Sequence, residues 1–368
     1  MLNLDEIPFI HGLELSRRYH EEVVGPLMRK LQPNLPYAAG RLDGGSDVLG
    51  YDTPLSRDHD WGPRLTIYLE DSDLVEAGDA LSERLSYELP LDFYGYPTNY
   101  EAHEDGTMGM SLVAKHPIKH LVDFKTVPSF YRDYLEYDLS EPLSLFHWLS
   151  FPEQRLRTVR SGGIFHDDWG QLTSVRDSLG YYPGELWLYL MAVAWRRVDQ
   201  EEPFMSRAGD AGDEIGSRLI AARQVYNVIR LCFLMEKEYA PYSKWLGSAF
   251  SKLECARDLS PMFEDIWKSD GWEQRQGALS LVYEDLARRH NLLGITPPVP
   301  GEVSSFHGRP YMVIHSEQFV DALLGAISDQ QVKDLPKHLG GIDQLVDSTD
   351  VLAYPERFSQ LPALLRGQ

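Results

Sequence analysis

The segment GRLDGGSDVLGYDTPLSRDHDWGPRLTIYL, from Gly40 to Leu69, constrains the fold more than any other part of the chain. Gly45-Ser46 is followed, after eleven intervening residues, by Asp58-His59-Asp60. A glycine-serine pair lets backbone N–H groups approach phosphate oxygens closely, and the serine hydroxyl adds a small donor. If Asp58-His59-Asp60 opens a strand, side-chain alternation sends both carboxylates to one face and His59 to the other. Asp60 to Leu69 reads as that strand, with Leu65, Ile67 and Leu69 alternating against polar neighbours. Two carboxylates on one face, beside a phosphate-binding turn, suit divalent-ion chemistry on a nucleoside triphosphate.

The flanking pattern extends this into a domain. Apolar residues recur at helical spacing from His11 to Leu31, and Asp71 to Tyr87 reads as an amphipathic helix with Ser72 or Asp73 as its cap. Leu91–Tyr96, Met108–Ala114 and His120–Val127 read as further strands. Helix and strand therefore alternate through residue 127, as in a small α/β domain. After Pro128 the pattern turns mostly helical, with long segments at Pro183–Gln200 and Asp213–Glu238. Gly-Asp clusters around Gly209–Gly216 separate those two. A Pro/Gly-rich connection, Thr296–Pro310, precedes a short β-like stretch at Tyr311–His315. The expected architecture is α/β (α+β). A small mixed-sheet domain, 1–127, is followed by a mainly helical domain, 128–368, that contributes to a nucleotide and acceptor cleft.

Net charge narrows the partners. With 56 acidic and 35 basic residues the chain carries −21, which disfavours a broad nucleic-acid surface but leaves room for a local triphosphate pocket. Cys232 and Cys255 lie in apolar helical patterns and read as reduced core thiols. The N-terminal residues lack a signal design, and the longest apolar run, Leu186–Trp195, is too short to span a bilayer. The simplest location is cytoplasmic, with no membrane partner.

A third carboxylate on a neighbouring strand would complete the metal site. Asp123, within His120-Leu121-Val122-Asp123-Phe124, is the first candidate and Asp92 its rival, because an acid between apolar neighbours needs a cation or a partner. Arg41 and Arg64 flank the motif and are candidates for phosphate neutralisation or ordinary strand-edge cations. His166-Asp167-Asp168, beside Gly162-Gly163 and Trp169-Gly170, reads as a turn rather than a metal site. Trp187, Tyr189 and Trp195 read as helix core rather than a base-stacking platform.

The spacing of Gly45-Ser46, Asp58-x-Asp60 and the later apolar-Asp-apolar strand resembles the polymerase-β-type nucleotidyltransferase superfamily. GGSDVLGYDTPLSRDHDWGPRL, GDAGDEIGSRLIAARQV, EKEYAPYSKWLGSAF, HNLLGIT and QLVDSTD together resemble a bacterial family of unknown function within it. The resemblance implies that Gly45 and Ser46 hold a triphosphate and that Asp58, Asp60 and Asp123 bind two Mg2+ ions. It further implies transfer of a nucleoside monophosphate, most often AMP from ATP, to a hydroxyl of a small-molecule or protein acceptor. Related adenylyltransferases bring a lysine from the helical domain to the triphosphate. Lys244, in Ser243-Lys244-Trp245 at the start of an expected helix, is the candidate for that role, although no spacing rule ties it to the turn. Glu214, Arg218 and Tyr242 are weaker candidates for acceptor binding or base work. His59 departs from the apolar residue usual between the two acids. The alternative is a catalytically silent nucleotide-binding or antitoxin-like regulatory protein of the same fold.

Overall fold

The computed structural model describes residues 6–353 and residue 363. The chain divides into two compact units. One runs to Pro142 and resumes over Arg155–Gly180; the other takes Leu143–Gln154 and the described residues from Tyr181 on.

The first unit opens with α1 (Gly12–Tyr19) and α2 (Gly25–Leu31), joined without a break by a π-helical turn at His20–Val24. This is the helix expected from His11 to Leu31. β1 (Ala38–Arg41), β2 (Arg64–Tyr68) and α3 (Asp71–Glu88) follow. The hairpin β3 (Asp92–Phe93) and β4 (Tyr96–Pro97) comes next, then the hairpin β5 (Asn99–Ala102) and β6 (Met108–Ser111). The chain continues through β7 (Leu121–Lys125) and α4 (Val127–Leu135). After α5 (Leu145–Ser150), which belongs to the second unit, α6 (Glu153–Ser161) leads back to β8 (Gly163–Asp167) and α7 (Gln171–Ser178).

β7, β2, β1 and β8 form one sheet in that order. β2 and β7 are parallel, and β1 is antiparallel to both β2 and β8. Residues alternate across it as strand geometry requires. Ala39, Leu65, Ile67 and Val122 pack into one core with Leu15, Tyr19 and Met28 of the first two helices and Leu81 and Leu85 of α3. The opposite face carries Gly40, Thr66 and Asp123 at one level, since Gly40 pairs Thr66 and Thr66 pairs Asp123.

Two expectations are corrected here. The sheet's fourth strand comes from residues 163–167, well past the expected boundary at 127/128, because β8 supplies β1 with its second hydrogen-bonded neighbour. His166 and Asp167 therefore lie on a strand rather than in a turn, and Asp168, directly after it, donates its N–H to the Tyr37 carbonyl at 3.2 Å and accepts from Tyr37 N–H at 3.0 Å.

The second unit is helical. α8 (Gly184–Asp199), α9 (Phe204–Asp210), α10 (Glu214–Met235), α11 (Ser243–Phe250), α12 (Ala256–Lys268) and α13 (Trp272–Leu292) precede a two-stranded ribbon of β9 (Ser304–Ser305) and β10 (Met312–Val313). α14 (Glu317–Ala326) then packs on α8. Asp213 caps α10 by accepting from Gly216 N–H at 2.8 Å. Trp187, Tyr189 and Trp195 are core residues, as their helical spacing predicts: Trp195 stacks on Phe319 at 4.2 Å, and Trp187 donates to the Leu234 carbonyl. Cys232 and Cys255 are buried thiols. Among the described residues, no helix is long and apolar enough to cross a membrane.

Candidate functional site

β1 delivers the chain into the turn Asp43–Ser46 with Arg41 as its last strand residue. Burial beneath that turn shapes everything around it. The Arg41 side chain is 2% exposed; it donates to the Gly44 carbonyl at 2.8 Å and pairs with Asp43. Its Nε lies 3.4 Å from Asp47, whose other oxygen is 3.3 Å from Arg64 of β2. Burial pushes the Asp47 carboxyl up, but Arg41, Arg64 and the Val48 amide outweigh it and leave the group below its usual range. Burial, assisted by Arg64, lowers Arg41 to about 10, which still leaves it charged at neutral pH.

Gly45 sits directly over this cluster. A Cβ there would meet the Asp47 carboxylate at 2.0 Å, Arg41 at 3.0 Å and Arg64 at 3.1 Å. The glycine is therefore required by the close approach of three charged groups. Among the described residues, none accepts a hydrogen bond from the N–H groups of Gly44, Gly45 or Ser46, or from the Ser46 hydroxyl. Consecutive unpaired N–H groups with cations behind them form a concavity suited to an anion.

Asp58 and Asp60 are placed otherwise than expected. Thr53 and Ser56 cap each other reciprocally around Pro54, and this starts a 3-10 turn over Pro54–Asp58. Asp58 ends that turn, 65% exposed at its side chain, and among the described residues bonds only its neighbour His59. Asp60 has φ 45°, which breaks an extended run. Its N–H donates to the Met108 carbonyl at 2.7 Å and its carboxylate accepts from Met108 N–H at 3.0 Å, so it is tied to β6. Gly62 then passes so close to Tyr100 and Met110 that no side chain fits, and the strand begins only at Arg64. Asp58 and Asp60 thus do not alternate on a strand, and His59 does not oppose them.

Asp123 does lie on β7, exposed and level with Thr66. Its rival Asp92 is exposed on β3. Among the described residues, no three or more His, Cys, Asp or Glu side chains are arranged to hold a metal ion. Among the described residues, Asp58, Asp60 and Asp123 therefore do not form one carboxylate cluster. In the second unit, Lys244 is exposed near the start of α11 with its Nζ 5.0 Å over the Trp245 ring. Glu214 pairs with Arg218 at 2.7 Å and with the buried Arg275, so both weaker candidates serve α10 and its neighbour. Tyr242 precedes α11 as its N-terminal cap residue.

A second buried carboxylate escaped the sequence reading. Asp52, whose side chain has no exposure, accepts from Gly12 N–H at 2.7 Å, Trp61 Nε1 at 3.0 Å and His11 Nδ1 at 2.9 Å. It thereby fastens the start of α1 to the residue following Asp60. Its partners lie 9 to 41 positions away, so no local pattern announces them.

The structure is of the α/β class, with a small mixed sheet in one unit and helices dominating the other. Residues 148–246 match the profile of a domain of unknown function (DUF4037). That match runs from α5 into α11 and leaves the Gly44–Asp60 segment outside it. Among solved structures, the chain is similar to a nucleotidyltransferase-like protein from Exiguobacterium sibiricum 255-15, at 14% identity, 76% of each chain covered and a TM-score of 0.30. No curated protein matches it.

Proposed function

We propose that the first unit binds a nucleoside triphosphate at the Gly44–Ser46 turn and that the protein is a nucleotidyltransferase. It would transfer a nucleoside monophosphate, AMP from ATP in the simplest case, to an acceptor hydroxyl. The observation that carries this reading is the turn itself: three consecutive unpaired N–H groups and a serine hydroxyl, backed by Arg41 and Arg64. Such a row of N–H donors orients a polyphosphate. The Asp58-x-Asp60 pattern at its fixed spacing from the turn supports transfer rather than binding alone. Both acids are exposed on a loop and stay accessible to a bound nucleotide's environment.

Calorimetric titration with ATP, with and without magnesium, tests the binding. Ser46→Ala should weaken it about tenfold, the worth of one hydrogen bond to a charged group. Pyrophosphate release should fall at least 100-fold in the Asp58→Ala, Asp60→Ala double variant, on the scale of losing a main catalytic group. Wild type that binds no ATP rejects the reading. The separation of the three carboxylates specifically favours a second reading, a catalytically silent nucleotide-binding protein with a regulatory role. ATP binding that ignores magnesium, without pyrophosphate release, would select it.

A further inference from the structure

A cavity of about 600 Å³ opens in the first unit between α1, the Asp47–Gly50 segment and the start of β8. Its walls are mainly apolar: Leu13, Val48, Leu49, Ile164 and Phe165 contribute. One side chain sets its chemistry. His11 lines the cavity with its ring 66% exposed, and Nδ1 is held by Asp52 at 2.9 Å.

The Asp52 carboxylate acts as an acceptor toward every partner it has. One oxygen takes Gly12 N–H and Trp61 Nε1–H, and the other faces His11. The neutral imidazole therefore carries its proton on Nδ1, leaving the Nε2 lone pair at the outer edge of the ring. Among the described residues, no group donates to that nitrogen. An acceptor nitrogen fixed by a buried carboxylate is the arrangement that receives a hydroxyl's proton. The rim adds no net demand for charge, because Arg17 is paired with Glu14 at 2.7 Å and with Glu21 at 2.5 Å.

The cavity wall also reaches Asp47, the residue that follows the Gly44–Ser46 turn. Gly12, next to His11, has no room for a side chain because a Cβ would meet Asp47 Cβ and Trp61 Nε1, each at 2.7 Å.

We infer that this cavity is the acceptor site. It takes a mainly apolar small molecule through one hydroxyl, whose hydrogen bonds to His11 Nε2. Calling the ligand an acceptor rests on the nucleotidyl-transfer reading; the binding chemistry does not. In transfer, the hydroxyl proton passes to Nε2 as the oxygen bonds the α-phosphorus. The bond from that phosphorus to pyrophosphate breaks, pyrophosphate leaves with the electron pair, and His11 later releases the proton to water.

The test uses the full chain and two probes of one shape, 4-methylbenzyl alcohol and p-xylene, which differ by the hydroxyl. In wild type, the alcohol should bind at least tenfold tighter than the hydrocarbon and shift the His11 Nε2 resonance. His11→Ala should remove the preference, and Leu13→Trp, by filling the cavity, should abolish binding of both. Equal affinities, binding of neither probe, or a preference that survives His11→Ala would overturn the inference. The nitrogen resonance in wild type keeps the test decisive even where a variant misfolds. Pyrophosphate release from ATP, followed separately, divides the two ideas. A hydroxyl-selective cavity in a protein without turnover sinks only the transfer reading. Turnover with a cavity indifferent to the hydroxyl sinks only the cavity.

Discussion

Asp47 and Asp58 sit eleven positions apart and occupy opposite extremes of environment. Asp47 is nearly inaccessible between two arginines, whereas Asp58 is 65% exposed and bonds its neighbour. Removing the charge of Asp47 leaves Arg41 and Arg64 facing each other in the interior. Asp47→Asn should therefore cost about 3–5 kcal/mol, the usual penalty for stranding a buried charge. Asp58→Asn should change stability by less than about 0.5 kcal/mol. Urea midpoints of the two variants check the contrast. In the sequence, Gly45 was legible because its neighbours spell a turn, and Arg41 and Arg64 were legible as flanking cations. The burial of Asp47 was not, because its two partners come from different strands. His11 and Asp52 were missed because they meet only through the fold, 41 positions apart in sequence.

Glu202 gives a second contrast at this scale. It is buried in the second unit, accepting from the Ser316 N–H at 3.0 Å and from the Ser316 hydroxyl. Burial pushes its carboxyl up to about 7, against the Ser316 bonds, with Asp199 adding to the rise. The folded chain thus holds a proton that the unfolded chain releases near pH 4.5. Stability is full below that pH and falls as pH rises to about 7, by on the order of 3 kcal/mol. His20 and His290, both lowered by burial to about 4, act the other way: their stabilisation is lost as pH falls from about 6.5 to 4. The decisive reading is therefore the difference between wild type and Glu202→Gln across pH 4.5 to 8. The variant should lack the falling component and be the more stable protein at pH 8.

Among the elements, the helices were the most legible. α8 and α10 were expected at Pro183–Gln200 and Asp213–Glu238 and are found at Gly184–Asp199 and Glu214–Met235, because a 3.6-residue period repeated over many turns is hard to mistake. Strands depended on their flanks. β2 begins four residues later than expected, since the Thr53–Ser56 cap and Pro54 commit the preceding residues to a turn and Asp60 bends the chain away. β8 gave no signal. Its five residues are all half-buried, so apolar and polar positions do not alternate, and its two leading glycines suggest a loop. What holds it as a strand is β1, a partner more than 120 positions earlier.

At the scale of the whole chain, the first unit is discontinuous in sequence. A fragment ending at residue 127 keeps Gly45, Asp58, Asp60 and Asp123 but lacks β8. It should aggregate rather than fold, because β1 would present a row of unpaired backbone groups along its open edge. A fragment ending at Gly180 retains all four strands. Size-exclusion chromatography of the two fragments measures the difference: soluble monomer from the shorter one would refute the expectation.

The late arrival of β8 also bears on how the protein is made. Arg41 leaves the ribosome about 120 residues ahead of Gly163. At synthesis rates of about 5–20 residues per second, β1 waits roughly 6–25 s for its second neighbour. Over that interval the nascent chain exposes a sticky flank, which makes this segment a natural client for a holding chaperone and makes slow translation upstream of residue 163 hazardous.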